Sequence, residues 1–249
     1  MKQILIILMM FLTVTTGWGK RGFDSTTVEL RVGYQIGGTS PVGLPASIRH
    51  LNRYTPQFNP ALQVDLQRPF NDHWGLLTGL RIENKGMKTD ARVKNYHMEI
   101  TRGGETLAGQ FYGNVVTHVM EFMFTIPVQF TYSLGKRWQL RAGPYASLVT
   151  SHEFTGWAYD GYLRVGSPTG PRVDLGSGKE ERGDYDFSNE MRRLQYGIGA
   201  GLDWRCSKKI GIYVDLNWGL NGIFRSNFKT VEQTLYPIYG ALGMTYRIK

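Results

Sequence analysis

Apolar side chains recur at every second residue along most of this chain. In Ile210-Gly-Ile-Tyr-Val-Asp-Leu-Asn-Trp-Gly-Leu220 each large apolar residue is followed by a glycine, a polar residue or a tyrosine. The same alternation runs through Leu194 to Trp204 and through Leu62 to Leu66. A period of two places the two sets on opposite faces of a β-strand. Eight such segments are predicted, over residues 28–38, 60–68, 74–85, 118–132, 138–151, 194–205, 210–221 and 236–248. Their connections alternate in length. Short ones follow the second, fourth and sixth strands, and long ones cover 39–59, 86–117, 152–193 and 222–235. Tight turns at one end and long loops at the other predict an all-β fold: an eight-stranded antiparallel up-and-down transmembrane β-barrel with long extracellular loops.

The apolar positions are even-numbered. They include Trp74, Leu76, Leu80 and Ile82 in the third strand and Met120, Phe122, Phe124, Ile126, Val128 and Phe130 in the fourth. Arg68, at a strand end, is the one charged residue with this parity in these segments. A cation on the lipid face at mid-bilayer costs ~2–4 kcal/mol, so the even face is expected to meet lipid. The odd positions carry a charge network expected to fill the lumen: Glu29, Arg31, Asp65, Arg81, Glu83, Glu121, Arg141, Asp203, Asp215 and Arg247, together with Lys85 and Arg205. Six of these twelve are acidic and six basic, as mutual pairing in a water-poor interior requires. Glycines such as Gly33, Gly79, Gly143 and Gly199 share the odd face. An eight-stranded barrel has room inside only for side chains, and glycine offsets the bulk of the charged ones. Trp74, Tyr132, Trp138 and Trp204 fall beside the short turns with lipid-facing parity, which predicts a periplasmic aromatic girdle.

The N-terminus changes the picture of location. Met1-Lys2 precedes an apolar run from Ile4 to Val14, then small residues up to Gly19. Roughly eleven apolar residues are too few for a spanning helix, for which ~18 are needed. The pattern predicts a signal peptide over residues 1–19 and a barrel domain over 20–249, hence export to the outer membrane. The formal net charge of +9 is spread without a compact basic run. This disfavours nucleic acid and suits anionic outer-membrane lipids and lipopolysaccharide as partners. Cys206, the single cysteine, cannot form an internal disulfide.

Candidate chemistry is sparse. The five histidines, His50, His73, His97, His118 and His152, lack metal-ligand spacing, and no metal or cofactor is expected. Gly197-Ile-Gly-Ala-Gly201 lies within a strand and lacks the strand–turn–helix context of a phosphate loop. His118 and His152, with Ser151 and Glu153 beside the latter, reach the predicted outer rim. Neighbouring strand residues point to opposite faces, so this set does not by itself form a nucleophile–base pair, and no catalytic residue is expected. Acidic residues of 152–193 lack EF-hand order. Trp157, Tyr159, Tyr162 and Tyr185 in that region suit partner recognition or an extension of a hairpin beyond the membrane. A protein partner is therefore expected to meet loops 86–117 and 152–193. Two other classes fit the pattern less well: a lipid-modifying outer-membrane enzyme of lipid A deacylase or acyltransferase type, and a secreted lipocalin-like ligand binder.

Phe124-Thr-Ile-Pro-Val-Gln-Phe130 running into a short turn, then Leu140-Arg-Ala-Gly-Pro-Tyr-Ala146, resembles the PorT-like outer-membrane β-barrel family of Bacteroidota-type bacteria. Tyr196-Gly-Ile-Gly-Ala-Gly-Leu-Asp-Trp204 is similar to that family's glycine-rich strand near the C-terminus, and Arg81-Ile-Glu-Asn-Lys-Gly-Met87 to its third strand. Together the segments cover most of the mature chain. The resemblance implies an outer-membrane barrel, in some members connected with protein secretion and gliding motility, and supplies no catalytic signature. The final Tyr246-Arg-Ile-Lys249 departs from the terminal aromatic common to such barrels.

Overall fold

The computed structural model describes residues 26–43, 45–231 and 233–248; the expected signal peptide lies outside the described residues. Eleven strands form one antiparallel sheet. They are β1 (Thr27–Pro41), β2 (Ile48–Pro56), β3 (Pro60–Pro69), β4 (Trp74–Arg102), β5 (Glu105–Leu134), β6 (Trp138–Val165), β7 (Arg172–Leu175), β8 (Gly183–Asp186), β9 (Leu194–Arg205), β10 (Ile210–Gly219) and β11 (Leu235–Arg247). Eight of them close a ring in the order β1–β3–β4–β5–β6–β9–β10–β11, with β11 pairing back onto β1. Closure removes the unpaired backbone edge that hydrocarbon cannot satisfy. The eight predicted strands are these eight.

Tight turns close one end of the ring. Asn71 builds the first, its side-chain oxygen accepting from the backbone N–H of His73 at 2.9 Å and of Trp74 at 2.8 Å. Gly135 supplies a positive φ of 68° in the second. Ser207 caps the third by accepting from the Ile210 N–H at 3.1 Å.

The opposite end departs from the prediction. Segment 86–117 is not a loop: β4 and β5 run on as one long hairpin to Arg102 and Glu105. Its two-residue tip, Gly103-Gly104, has φ of 57° and 84°, the left-handed pair that a type I′ turn demands. The predicted loop 152–193 is likewise largely ordered, because β6 continues to Val165 and carries β7 and β8 on its edge. Strand β2 pairs with the upper part of β4. The barrel therefore rises as a walled extension beyond the predicted membrane zone.

Inside and outside exchange chemistry where this extension begins. Along lower β4 the even residues Leu76, Leu80 and Ile82 point outward, and Arg81, Glu83 and Lys85 are buried inside. Two residues above Lys85 the inward side becomes Met87 and then Val93, while Lys88, Arg92 and Lys94 face out. Facing is unchanged; polarity is reversed. A wall with lipid outside keeps its polar groups within, and a wall in water does the opposite.

Glycine makes room for tyrosine in the lower barrel. A Cβ built on Gly33 would lie 2.2 Å from Tyr213 Oη, because that ring lies along the wall from β10 past Gly243 of β11 to the β1 backbone. Gly33→Val is expected to cost about 1–3 kcal/mol by overpacking. Urea titration of the folded fraction in liposomes measures it, and Tyr213→Leu in the same chain should recover part of the loss.

Candidate functional site

Two compartments occupy the interior, a charged plug and an apolar chamber above it. The plug is organised by two guanidinium groups. Arg31, on β1, is bonded to Asp65 on β3 and to Asp203 on β9, the latter at 2.7 and 3.1 Å, with Glu29 at 3.3 Å. Arg141, on β6, donates to Asp203 at 2.8 and 3.0 Å and to Asp215 on β10 at 2.5 Å. Asp203 thus ties together Arg31 and Arg141 from strands that face each other across the ring. Arg81, on β4, reaches Glu83 and Asp215 at 3.6 Å, and β10 again lies opposite β4. Arg247 meets Glu29 at 3.0 Å near the short-turn end. Lys85 sits 3.4 Å from Glu83 and lies over the rings of Tyr145 and Tyr239 at 5.4 and 5.7 Å.

Of the twelve charged residues expected in the lumen, eleven enter ion pairs, Arg205 with Glu29 at 3.9 Å. Glu121 is buried but has no cation within ion-pair distance among the described residues, and one of its oxygens accepts from Gln195 at 2.5 Å. Uncharged members of the plug were missed: Gln35 donates to Glu83 at 2.8 Å, Gln129 accepts from Arg141 at 2.8 Å, and Gln63 is bonded to Arg81. They share the odd parity of the charges, and that signal alone would have found them.

The aromatic residues beside the short turns form two cross-strand pairs. Trp74 faces Tyr132 with ring centroids 4.8 Å apart, and Trp138 faces Trp204 at 6.0 Å.

Above Lys85 the interior turns apolar. Met98, Ile100, Phe111, Val115, Phe154 and Leu163 belong to one buried cluster drawn from β4, β5 and β6. Ile223 and Phe224 fold over it and are buried, with Phe224 4.8 Å from Phe154. Tyr185 donates to the Val116 carbonyl at 2.8 Å and lies 2.7 Å from the Thr117 hydroxyl. Burial pushes its phenol well above the usual range, and the Thr117 bond only partly offsets this. On the outer wall, burial and the bond to Asp90 at 2.7 Å push the Tyr159 phenol up to about 12. Beside the cluster lies a cavity of about 580 Å³.

The rim residues weighed for catalysis do not converge. An extra residue, Thr150, bulges from β6 opposite Phe122 and Met123, so facing inverts above it. Ser151 and Glu153 are exposed, while the Nδ1 of His152 is buried without a partner. His118 Nδ1 lies 3.4 Å from Glu153 Oε1, and no hydrogen bond joins Ser151 to either histidine. No group of three metal-ligating side chains occurs among the described residues.

Among solved structures, the chain is similar to the attachment invasion locus protein Ail of Yersinia pestis, at 10% identity and TM-score 0.38 over 90% of this chain and 97% of that one. It is also similar to CarO2 of Acinetobacter baumannii, at 11% identity and TM-score 0.39 over 89% and 99%. The outer membrane protease OmpT of Escherichia coli is a third, at 9% identity and TM-score 0.34 over 90% and 94%. No curated protein matches the sequence. The family described as outer membrane protein beta-barrel domain matches residues 24–225. That match covers most of the chain and agrees with the closed ring and the apolar outer face, so the chain belongs to this family and resides in the outer membrane.

Proposed function

We propose that the protein is a non-enzymatic outer-membrane barrel, sealed to diffusion, that acts by docking a protein partner on its extracellular extension. The observation that carries this reading is the ion pairing of Arg31 and Arg141 through Asp203, which bridges opposite walls of an eight-stranded lumen. A barrel of this size holds side chains rather than a water column. The short turns then face the periplasm, and the Trp74–Tyr132 and Trp138–Trp204 pairs mark the headgroup level there. Lipopolysaccharide meets the cationic outer wall near Arg92 and Lys94.

The hairpin wall of β4–β6 and its edge strands are the partner surface, taking the place of flexible loops. Resemblance to PorT-like barrels makes a component of protein secretion the fitting kind of partner. Photo-crosslinking from Thr101 and Lys94 in native envelopes tests the docking. One envelope or secreted protein should be captured reproducibly, and capture should be lost when 95–110 is deleted. In planar bilayers the protein should give no discrete conductance. An altered lipid A mass spectrum on overexpression, or stable open channels, would contradict the proposal.

A further inference from the structure

The plug fills the barrel below Lys85, but the extension above it is only partly filled by its buried apolar cluster. Its cavity of about 580 Å³ lies within the span of roughly 300–1,000 Å³ common to small-molecule sites. Protein interiors normally close such space, since unfilled volume forfeits contacts on every wall. The inner walls are apolar, supplied by Met87, Met98, Val115 and Phe154 with Leu235 and Ile238. The margin is different: Arg49, His50 and His97 line it, and no acidic residue does among the described residues. Arg49 is exposed on β2 and engages no carboxylate among the described residues. A soluble anion would leave the walls unanswered, a plain hydrocarbon would leave Arg49 unanswered, and a cation would be repelled.

We propose that this chamber binds a long-chain fatty acid from the external medium, with the alkyl chain among the methionines and the carboxylate at Arg49. The imidazoles of His50 and His97 supply further N–H donors at the same margin. Ala91, on the wall between Leu51 and Val115, sets the width of the chamber.

The test uses the full barrel in lipid nanodiscs and a palmitate bearing a photoreactive diazirine, with adducts mapped by peptide mass spectrometry. Adducts are expected on the peptides holding Met87, Met98 and Val115. Unlabelled palmitate should compete them away, and the neutral cetyl alcohol should compete roughly tenfold less well for want of the charge-assisted bond. Arg49→Glu, at an exposed edge position, should weaken competition by palmitate about tenfold. Ala91→Trp should abolish the chamber adducts while leaving those on lipid-facing Val32 and Leu216 intact; heat-modifiable migration on gels reports that each variant folds. Adducts confined to Val32 and Leu216 would show partition into lipid only and overturn the proposal. So would chamber adducts unchanged by Arg49→Glu, which remains informative if Ala91→Trp does not fold.

Discussion

Asp203→Ala is expected to destabilise the folded barrel by about 3–5 kcal/mol, because it takes a shared carboxylate from two buried guanidinium groups at once. Asp203 accepts from both Arg31 and Arg141, and neither cation has access to water. Arg31 keeps Asp65 and Glu29, and Arg141 keeps Asp215, so the barrel still closes but with its two buried cations less fully paired. Asp203→Asn retains an acceptor and should cost less. The surface supplies a control. Arg172 and Asp174 are 2.6 Å apart but 51% and 69% exposed, and Asp174→Ala should cost at most about 1 kcal/mol. Urea midpoints for refolding into liposomes give all three values. Equal effects of Asp203→Ala and Asp174→Ala would mean that the plug contributes nothing to stability.

The second large effect is on the outer face. Val214 lies midway along β10 between Leu202 and Leu242, 52% exposed. In water that exposure would make a substitution harmless. Against hydrocarbon, Val214→Arg should cost about 2–4 kcal/mol and slow insertion. Val42, 57% exposed past the end of β1, has the same chemistry in a different solvent. Val42→Arg should fall within about 0.5 kcal/mol of the parent. A comparison of insertion yields into preformed vesicles separates the two, and similar yields would show that β10 does not face lipid.

The strands that span the membrane were legible because one parity stays apolar through all of them. Glu29, Arg81, Asp203 and Asp215 could be placed inside from their numbers alone. The extension was not legible, for two physical reasons. At Met87 the apolar set moves from the outer to the inner face as the outer medium becomes water, so a search for apolar even positions stops there. Higher up, irregularities shift the face itself. Thr150 bulges from β6, and Asn95, with φ of 55°, coincides with a register break in β4, after which even-numbered Met98 and Ile100 turn inward. One extra residue moves every following side chain to the other face. The reversal at Met87 was nonetheless present in the sequence, as Lys88, Asp90, Arg92 and Lys94 following Leu76, Leu80 and Ile82 on the same parity. The chamber was not, since Arg49 and His97 come to line one cavity only once β2 pairs with β4.

Spin labels placed singly at Leu76, Leu80, Ile82, Lys88, Arg92 and Lys94, in a Cys206→Ser background reconstituted into bilayers, read the medium outside β4 directly. Collisions with dissolved oxygen should dominate at Leu80 and Ile82, and collisions with a water-soluble nickel chelate should dominate from Lys88 upward. Labels at Leu80 and Ile82 as accessible to the chelate as the label at Arg92 would contradict a barrel embedded in lipid at this level.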